Sequence, residues 1–537
     1  MITENIKNTV VYQIYPRSFN DSNGDGIGDI QGIIQKLDYI AELGANTIWL
    51  SPVYASPNAD NGYDVSDYRA IHPDFGTMED FDALIAEAEK RGIKIVMDLV
   101  INHTSDEHEW FKRALAGEEK YRDYYIIEKG KNGRLPNNWG NFFAVTPWSP
   151  FGGAGEYYLH LFSPKQPDLN WHNPDVFDEV ADIMRFWLDK GVAGFRCNVI
   201  NVIYKNTLKN GRPSLILTGK EHYLSTDGCH EILGRLKKEV LDPYGAFTVG
   251  ETVFVTVDDA KKLCRELDMV FSFEHVECDQ ILAKWFKRKL LPNRLMKVLT
   301  KWQTALDWNA CYFENHDQVR FISRFSDLGG FRAKASKMMA GLLMTLRGTP
   351  FIYEGQEIGM VNGDFKELGE LRDVESMSVD AMAKKLGLPK KLRWKITKLT
   401  SRDNARTPMQ WSDEKNGGFT SGKPWLKVNG NYKKLNVKRD TENKNGIFRF
   451  WQKAVALRKT SDVLKSGSFR SVYEGKSVYA FEREHGGKRL LSVCNMTGKC
   501  VRMPKCLLEC NVTLLANYVK LSKKILKPFE FRLVEKV

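Results

Sequence analysis

Eight short runs rich in β-branched and aromatic residues recur along the chain: TVVYQIYP (9–16), NTIWLSPV (46–53), IKIVMDLV (93–100), VAGFRCNV (192–199), AFTVGET (246–252), MVFSFEH (269–275), NACYFENHD (309–317) and TPFIYEG (349–355). Their near-continuous hydrophobicity suits strands buried on both faces, as in a parallel sheet. Amphipathic stretches lie between them. Asp29–Leu43 sets Ile30, Ile33, Ile34, Leu37 and Ile40 on one helical face, and Asp178–Lys190 does the same with Ile183, Phe186 and Trp187. Eight strand–helix alternations predict an α/β fold, a (β/α)8 TIM barrel.

Two departures from this rhythm predict further parts. The stretch after the third strand is rich in Asn, Gly, Pro and aromatic residues, and reads as a domain of residues 103–176 inserted over the barrel mouth. The barrel then spans 1–102 and 177–464, with a helical, basic excursion at about 360–400. From 465 to 537 short alternating segments such as SVYAFERE and RLLSVCNM predict a C-terminal antiparallel β-sandwich.

The formal net charge of +12 raises the question of nucleic acid or an anionic membrane. The excess is dispersed, for example over Lys384, Lys385, Lys390, Lys391 and Arg393, and no nucleic-acid-binding motif accompanies it. The expected partner is a small oligosaccharide or disaccharide, with no nucleic acid and no membrane, on a monomer or weak homo-oligomer. The first residues have no basic segment followed by an apolar one, and no apolar run approaches the ~18 residues of a membrane span. A cytoplasmic location is the expectation. The nine cysteines are irregularly spaced. Cys494, Cys500, Cys506 and Cys510 contain no C-x-x-C pair, which argues for reduced thiols rather than zinc.

Chemistry-bearing residues gather where the predicted strands end: Asp98, Asn102 and His103; Arg196; Glu251; His316 and Asp317. Singly each could be a cap or a loop hydrogen bond. Together they point to an active site, because strand C-terminal ends carry the active site in this fold.

Seven segments in order, DLVINHTSDEH (98–108), QPDLNW (166–171), GFRCNVIN (194–201), TVGET (248–252), ENHDQVR (314–320), GTPFIYEGQEIGM (348–360) and RDNARTPMQW (402–411), resemble the signature of the α-amylase superfamily. The last of them, with QPDLNW and GTPFIYEGQEIGM, resemble its oligo-1,6-glucosidase, dextran glucosidase and α-glucosidase branch. The resemblance implies a retaining glycoside hydrolase, in which two carboxyl groups about 5–5.5 Å apart flank the anomeric carbon. It implies Glu251 as acid/base and Asp317 as the carboxylate that binds sugar hydroxyls. It gives Arg196 the task of orienting the nucleophile, His103 and His316 the first glucose's hydroxyls, and Tyr63 a stacking platform. Asp60 and Arg406 would together close the pocket around the non-reducing-end hydroxyls, with Phe143, Phe162 and Gln166 completing its wall.

The loop DSNGDGIGD places Asp21, Asn23, Asp25, the Ile27 carbonyl and Asp29 at alternating positions of a glycine-permitted turn. Hard oxygen donors in that pattern fit Ca2+, and the resemblance also implies a structural calcium there.

The family's nucleophile is the aspartate two residues after the arginine of GFR. Here that position is Asn198. A neutral amide cannot form the glycosyl ester. The chain is therefore either a natural sugar-binding relative or an enzyme altered at one position. Retention of Glu251, Asp317, Arg196, both histidines and Arg406 favours the altered enzyme. Valine at 199 goes, in this branch, with α-1,6 cleavage. Val319 and the unusual 203–235 stretch border the leaving-group side and leave sucrose, isomaltose, maltose and kojibiose-type substrates open. Trehalose-6-phosphate hydrolase and glucosyltransferase activity are the alternatives within the family. A scaffold like the amylase-like ectodomain of amino-acid transporter heavy chains is disfavoured, since those have lost most site residues.

Overall fold

The computed structural model describes residues 3–143, 146–153, 155–214, 217–281, 283–326, 330–507 and 512–536, without the side chains of 283–286. All eight predicted strands are present: β1 (Val11–Ile14), β2 (Thr47–Leu50), β3 (Lys94–Leu99), β4 (Gly194–Cys197), β5 (Phe247–Glu251), β6 (Met269–Phe271), β7 (Ala310–Cys311) and β8 (Thr349–Tyr353). They form one sheet in the order β6-β5-β4-β3-β2-β1-β8-β7, and every ladder in it is parallel. β6 and β7 share no ladder. The gap is bridged by side chains: Phe271 meets Tyr312 edge-on at 5.0 Å, and the Tyr312 hydroxyl donates to the Ser272 carbonyl at 3.0 Å.

Strand periodicity sorts the barrel interior. Val11, Trp49, Val249, Met269, Phe271, Ala310, Tyr312 and Phe351 form one buried apolar cluster. One or two positions further along the strands the inward residues become Gln13, Asp98, Arg196 and Glu251, all buried. The apolar layer is the floor on which the polar layer stands.

The predicted helix Asp29–Leu43 is two helices, Ile30–Gln35 and Leu37–Leu43. The break falls at Lys36, whose amide bonds Ile33 three residues back and whose ammonium lies over the Trp411 ring at 4.6 Å. The helix read at 178–190 begins earlier, at Pro174, with the Asn173 side chain as N-cap.

Between β3 and β4 the chain forms a three-stranded antiparallel sheet, in the order Ile127–Lys129, Glu156–Leu159, Trp148–Phe151. Trp139, Trp148, Leu159 and Leu161 of this segment pack with Val199, Val202 and Tyr223 from the loop after β4. The last strands, Ser468–Glu474, Val478–His485, Lys488–Asn495, Phe531–Lys536 and Val512–Ala516, form an antiparallel sheet. A two-stranded ribbon, Val501–Arg502 with Ile525–Leu526, shares a buried cluster with it through Leu526, Val478, Leu491 and Val493. On the barrel side Phe531 packs so closely on Gly341 that an added Cβ would stand 2.4 Å from its ring. Among the described residues no helix is long and apolar enough to cross a membrane. Cys510 lies outside the described residues; Cys494 is buried, and Cys500 and Cys506 are exposed free thiols.

A buried ammonium ties the inserted segment to the barrel. Lys205 Nζ lies 2.8 Å from Asp168 Oδ2 and donates to Asn102 Oδ1 at 2.8 Å and to the Ile203 carbonyl at 3.3 Å. Asn102 also donates to Asp168 Oδ1 at 3.1 Å. Burial lowers the pKa of the Lys205 ammonium, and Asp168 opposes that shift. Breaking a buried pair by removing one partner leaves an uncompensated charge. Lys205→Met should therefore lower stability by about 3–5 kcal/mol in a denaturant titration, and adding Asp168→Asn should recover part of it. A loss below about 1 kcal/mol would show that the ammonium holds nothing together.

Candidate active site

The site is organised around the Arg196 side chain, 1% exposed at the end of β4. Its Nη1 donates to Asp98 Oδ1 at 2.6 Å and to Asn198 Oδ1 at 2.9 Å, and its Nη2 pairs with Glu251 Oε2 at 2.8 Å. The planar guanidinium thus holds the ends of β3, β4 and β5 together. The glycine of GFR has a steric reason: a Cβ on Gly194, at φ +150°, would stand 1.9 Å from the Phe247 carbonyl oxygen of β5.

Directly after Asn198 the backbone turns sharply. Val199 has φ 38° and ψ 39°, a left-handed conformation rare for a β-branched residue. The turn aims the Val199 amide at Glu251 Oε2, 3.0 Å away. Burial raises the Glu251 carboxyl above the ordinary glutamate range; Arg196 opposes the shift and Asp317 reinforces it. Asn198 and Glu251 are each 7% exposed.

A second chain of hydrogen bonds runs from β1 to β3. The Gln13 carboxamide lies 2.8 Å from His316 Nδ1, and His316 Nε2 lies 2.6 Å from the Tyr63 hydroxyl. That hydroxyl donates to Asp98 Oδ2 at 3.1 Å, which leaves the histidine as the donor to Tyr63. Trp49 Nε1 donates to the same Asp98 oxygen. The Tyr63 and His316 rings are stacked at 5.4 Å and 6°. Asp317 Oδ2 lies 3.0 Å from His316 Nε2. Burial by itself would raise the Asp317 carboxyl, but His316, Arg406 and Arg402 hold it well below the usual carboxylate range.

Asp60 and Arg406, expected together at the closed end of the pocket, are each bonded to another partner. Asp60 Oδ1 is bonded by Arg402 Nη2 at 3.0 Å, and Arg402 also meets Asp373 Oδ1 at 2.8 Å. Arg406 instead donates to Asp317 Oδ1 at 2.7 Å and to the His316 carbonyl at 2.9 Å. Both arginines belong to the RDNARTPMQW segment, four residues apart around the short helix Asp403–Arg406. They share one face of a helical turn, so spacing alone does not say which reaches Asp60.

Gln166 Nε2 joins the inserted segment to this rim through the Tyr63 carbonyl at 3.2 Å, His103 Nε2 at 3.1 Å and Asp60 Oδ2 at 3.4 Å. Burial lowers the His103 pKa, with Asp168 opposing. Phe162 lies 5.3 Å from the His103 ring and 6.0 Å, edge-on, from Phe143. The structure therefore brings together Asn198, Glu251, Asp317, Asp60, Tyr63, His103, Phe143, Phe162, Gln166, Arg196, His316 and Arg406. Sequence reasoning missed Arg402, Gln13 and Trp49. Gln13 carried a signal, a lone polar residue in an apolar strand. Val319 is buried.

In the loop 21–29, Asp21 Oδ1 accepts from the amides of Asn23 and Gly24, Asn23 Oδ1 from that of Asp25, and Asp25 Oδ1 from that of Ile27. Asp29 accepts from Ser22 and caps the following helix through Gly32. Among the described residues no three acidic, histidine or cysteine side chains converge as a metal-binding group. The donor chemistry still suits a hard cation, with three carboxylates, a carboxamide and a backbone carbonyl on nine residues.

Residues 13–467 match the family model for the α-amylase catalytic domain. The chain is 46% identical to the oligo-1,6-glucosidase of Parageobacillus thermoglucosidasius, over 98% of each protein. It superposes on the trehalose-6-phosphate hydrolase of Bacillus licheniformis with a TM-score of 0.93 and 42% identity, covering 98% of this chain and 99% of that one. The trehalulose synthase of Pseudomonas mesoacidophila MX-45 gives a TM-score of 0.95 at 37% identity, covering 99% of both chains. With a (β/α)8 barrel, this arrangement at its strand ends and these matches, the chain belongs to the α-amylase family. Its similarity to oligo-1,6-glucosidase extends over nearly its whole length.

Proposed function

We propose that this chain is the framework of a retaining, exo-acting α-glucosidase that takes single glucosyl units from the non-reducing end of short α-glucosides, and that Asn198 disables its nucleophile. One observation carries the reading: a single guanidinium, that of Arg196, holds both Asn198 Oδ1 and Glu251 Oε2. Two groups held by one guanidinium are close neighbours, as a nucleophile and an acid/base must be. Glu251 protonates the glycosidic oxygen and later takes a proton from water. Asp317, kept ionised by its two arginines, binds hydroxyls and favours positive charge at the anomeric carbon. The Asp60–Arg402 pair closes the far end, so that only a chain terminus enters. Val199 and the resemblance to oligo-1,6-glucosidase support an α-1,6 preference, which one apolar side chain tunes by only about 1–3 kcal/mol. The eight described cysteines are all free thiols, which supports a reducing, cytoplasmic setting.

Amide and carboxylate are nearly the same size, so the chain as it stands should bind an α-glucoside without turning it over. Asn198→Asp should raise the rate by several powers of ten, each about 1.4 kcal/mol of barrier, and should let a fluoroglucoside label residue 198. Asn198→Ala should not. If Asn198→Asp binds glucosides and stays inert, the chain is a sugar-binding protein instead.

The pH profile of that restored enzyme follows from Glu251. The acid form is the one that donates, and its pKa is raised, so kcat/KM should fall as pH rises through a value above the ordinary glutamate 4.5. The added carboxylate at 198 should push the limb higher still. An alkaline limb at or below 4.5 would contradict the role given to Glu251.

The same proposal gives Ca2+ a structural place, held by Asp21, Asn23, Asp25, the Ile27 carbonyl and Asp29. Chelation should lower the melting temperature, added calcium should restore it, and affinity for glucosides should not change. Asp25→Ala should abolish the difference. Identical melting curves with chelator and with calcium would remove the ion from the account.

A further inference from the structure

Two helices of 14 residues, Arg332–Thr345 and Ile447–Thr460, begin at the edge of one cavity of about 280 Å3, which takes in Arg332, Ala333, Gly446 and Ile447. None of its lining residues belongs to the set gathered around Arg196. Helix N-termini carry partial positive charge, and no side chain caps Arg332–Thr345. Asp440, from the short helix Val437–Glu442, accepts from the Phe448 amide at 2.7 Å and so is committed to the second helix.

The side chains add to that charge. Arg332, Lys434 and Arg439 line the cavity against one carboxylate, Asp440. Arg332 Nη1 donates to the carbonyls of Ile358 at 2.9 Å and Gly359 at 2.8 Å, and Arg439 Nη1 to that of Lys433 at 3.0 Å. Among the described residues, none of the three cations has a carboxylate within 4.0 Å. Burial lowers the Arg332 pKa, with Asp440 opposing, as befits a guanidinium short of negative charge. Its place is closely fitted: a Cβ on Gly359, at φ +68°, would stand 2.6 Å from Arg332 Nη1. A fourth cation, Lys337, is buried and donates to the carbonyl of Asn445, another lining residue. Ile358, Leu435 and Ile447, all buried, give the same cavity an apolar side. Four cations and two helix ends against one committed carboxylate suit an anion with several acceptor oxygens, and guanidinium forks match phosphate. The volume is at the small end for ligand sites and leaves room for a body of about one sugar ring.

We infer that this cavity is a second binding site, for a small phosphate monoester, with the phosphate on Arg332, Lys434 and Arg439 and the organic body against Ile358, Leu435 and Ile447. The probe is fructose 6-phosphate, whose ring is not the glucose proposed for the pocket around Arg196. In calorimetric titrations of the full chain it should bind, and unphosphorylated fructose should bind at least about 10-fold more weakly. Inorganic phosphate should bind about 5-fold more weakly than the ester, for want of a body to pack on the apolar side. Lys434→Met combined with Arg439→Gln should weaken the ester about 10-fold or more. Both side chains are exposed, so the double variant should melt with the parent. Equal affinity of the parent and the double variant for the ester would place the anion elsewhere and overturn the site. Equal affinity of the parent for inorganic phosphate and for the ester would overturn the place given to the organic body. Absence of binding by either phosphate at millimolar concentration would overturn the inference outright.

Discussion

One guanidinium inside the barrel holds the arrangement on which everything else rests. Arg196 is enclosed by Asp98, Glu251 and Asn198, each within 2.9 Å of its nitrogens. A lysine could not replace it, because three acceptors on three strands need a planar fork rather than a point charge. The charge count matters as much as the shape. With an aspartate at 198, one arginine would face three carboxylates, and each would push the others' pKa upward. With asparagine it faces two, and the site is closer to neutral. Asparagine at 198 therefore leaves the site less crowded with negative charge than a carboxylate there would.

The polar layer stays ordered because it is satisfied from below and from the sides. Gln13, Trp49 and Tyr63 occupy the remaining positions around His316 and Asp98. Lys205 performs the corresponding task outside the barrel, where Asn102 and Asp168 would otherwise be buried with little to compensate them. Buried networks of this kind tolerate few partial solutions, so the inserted segment and the barrel are set in one relative placement.

Much of the fold was legible because strand burial leaves a strong local mark. Runs such as IKIVMDLV and TPFIYEG have no reading other than enclosed strands when they alternate with amphipathic helices. The gap between β6 and β7 had no such mark, since it depends on how Tyr312 and Phe271 meet across the barrel. The break at Lys36 was hidden because the apolar face continues through it, while the ring its ammonium covers, that of Trp411, lies far along the chain. In the site, residue types at strand ends were readable and pairings were not. Arg402 and Arg406 have the same chemistry and nearly the same place, and only the folded loop assigns one to Asp60 and the other to Asp317.

The bond between Arg402 and Asp60 joins residues 342 apart in sequence. During synthesis the segment bearing Asp60, Tyr63 and His103 emerges first, and for most of translation it has no counterpart to close against. That junction therefore comes into being only when the segment after the eighth strand has left the ribosome and docked. Closure at this rim is a late event in the life of the chain, and the Arg402–Asp60 bond marks that the whole ring of strands has been assembled.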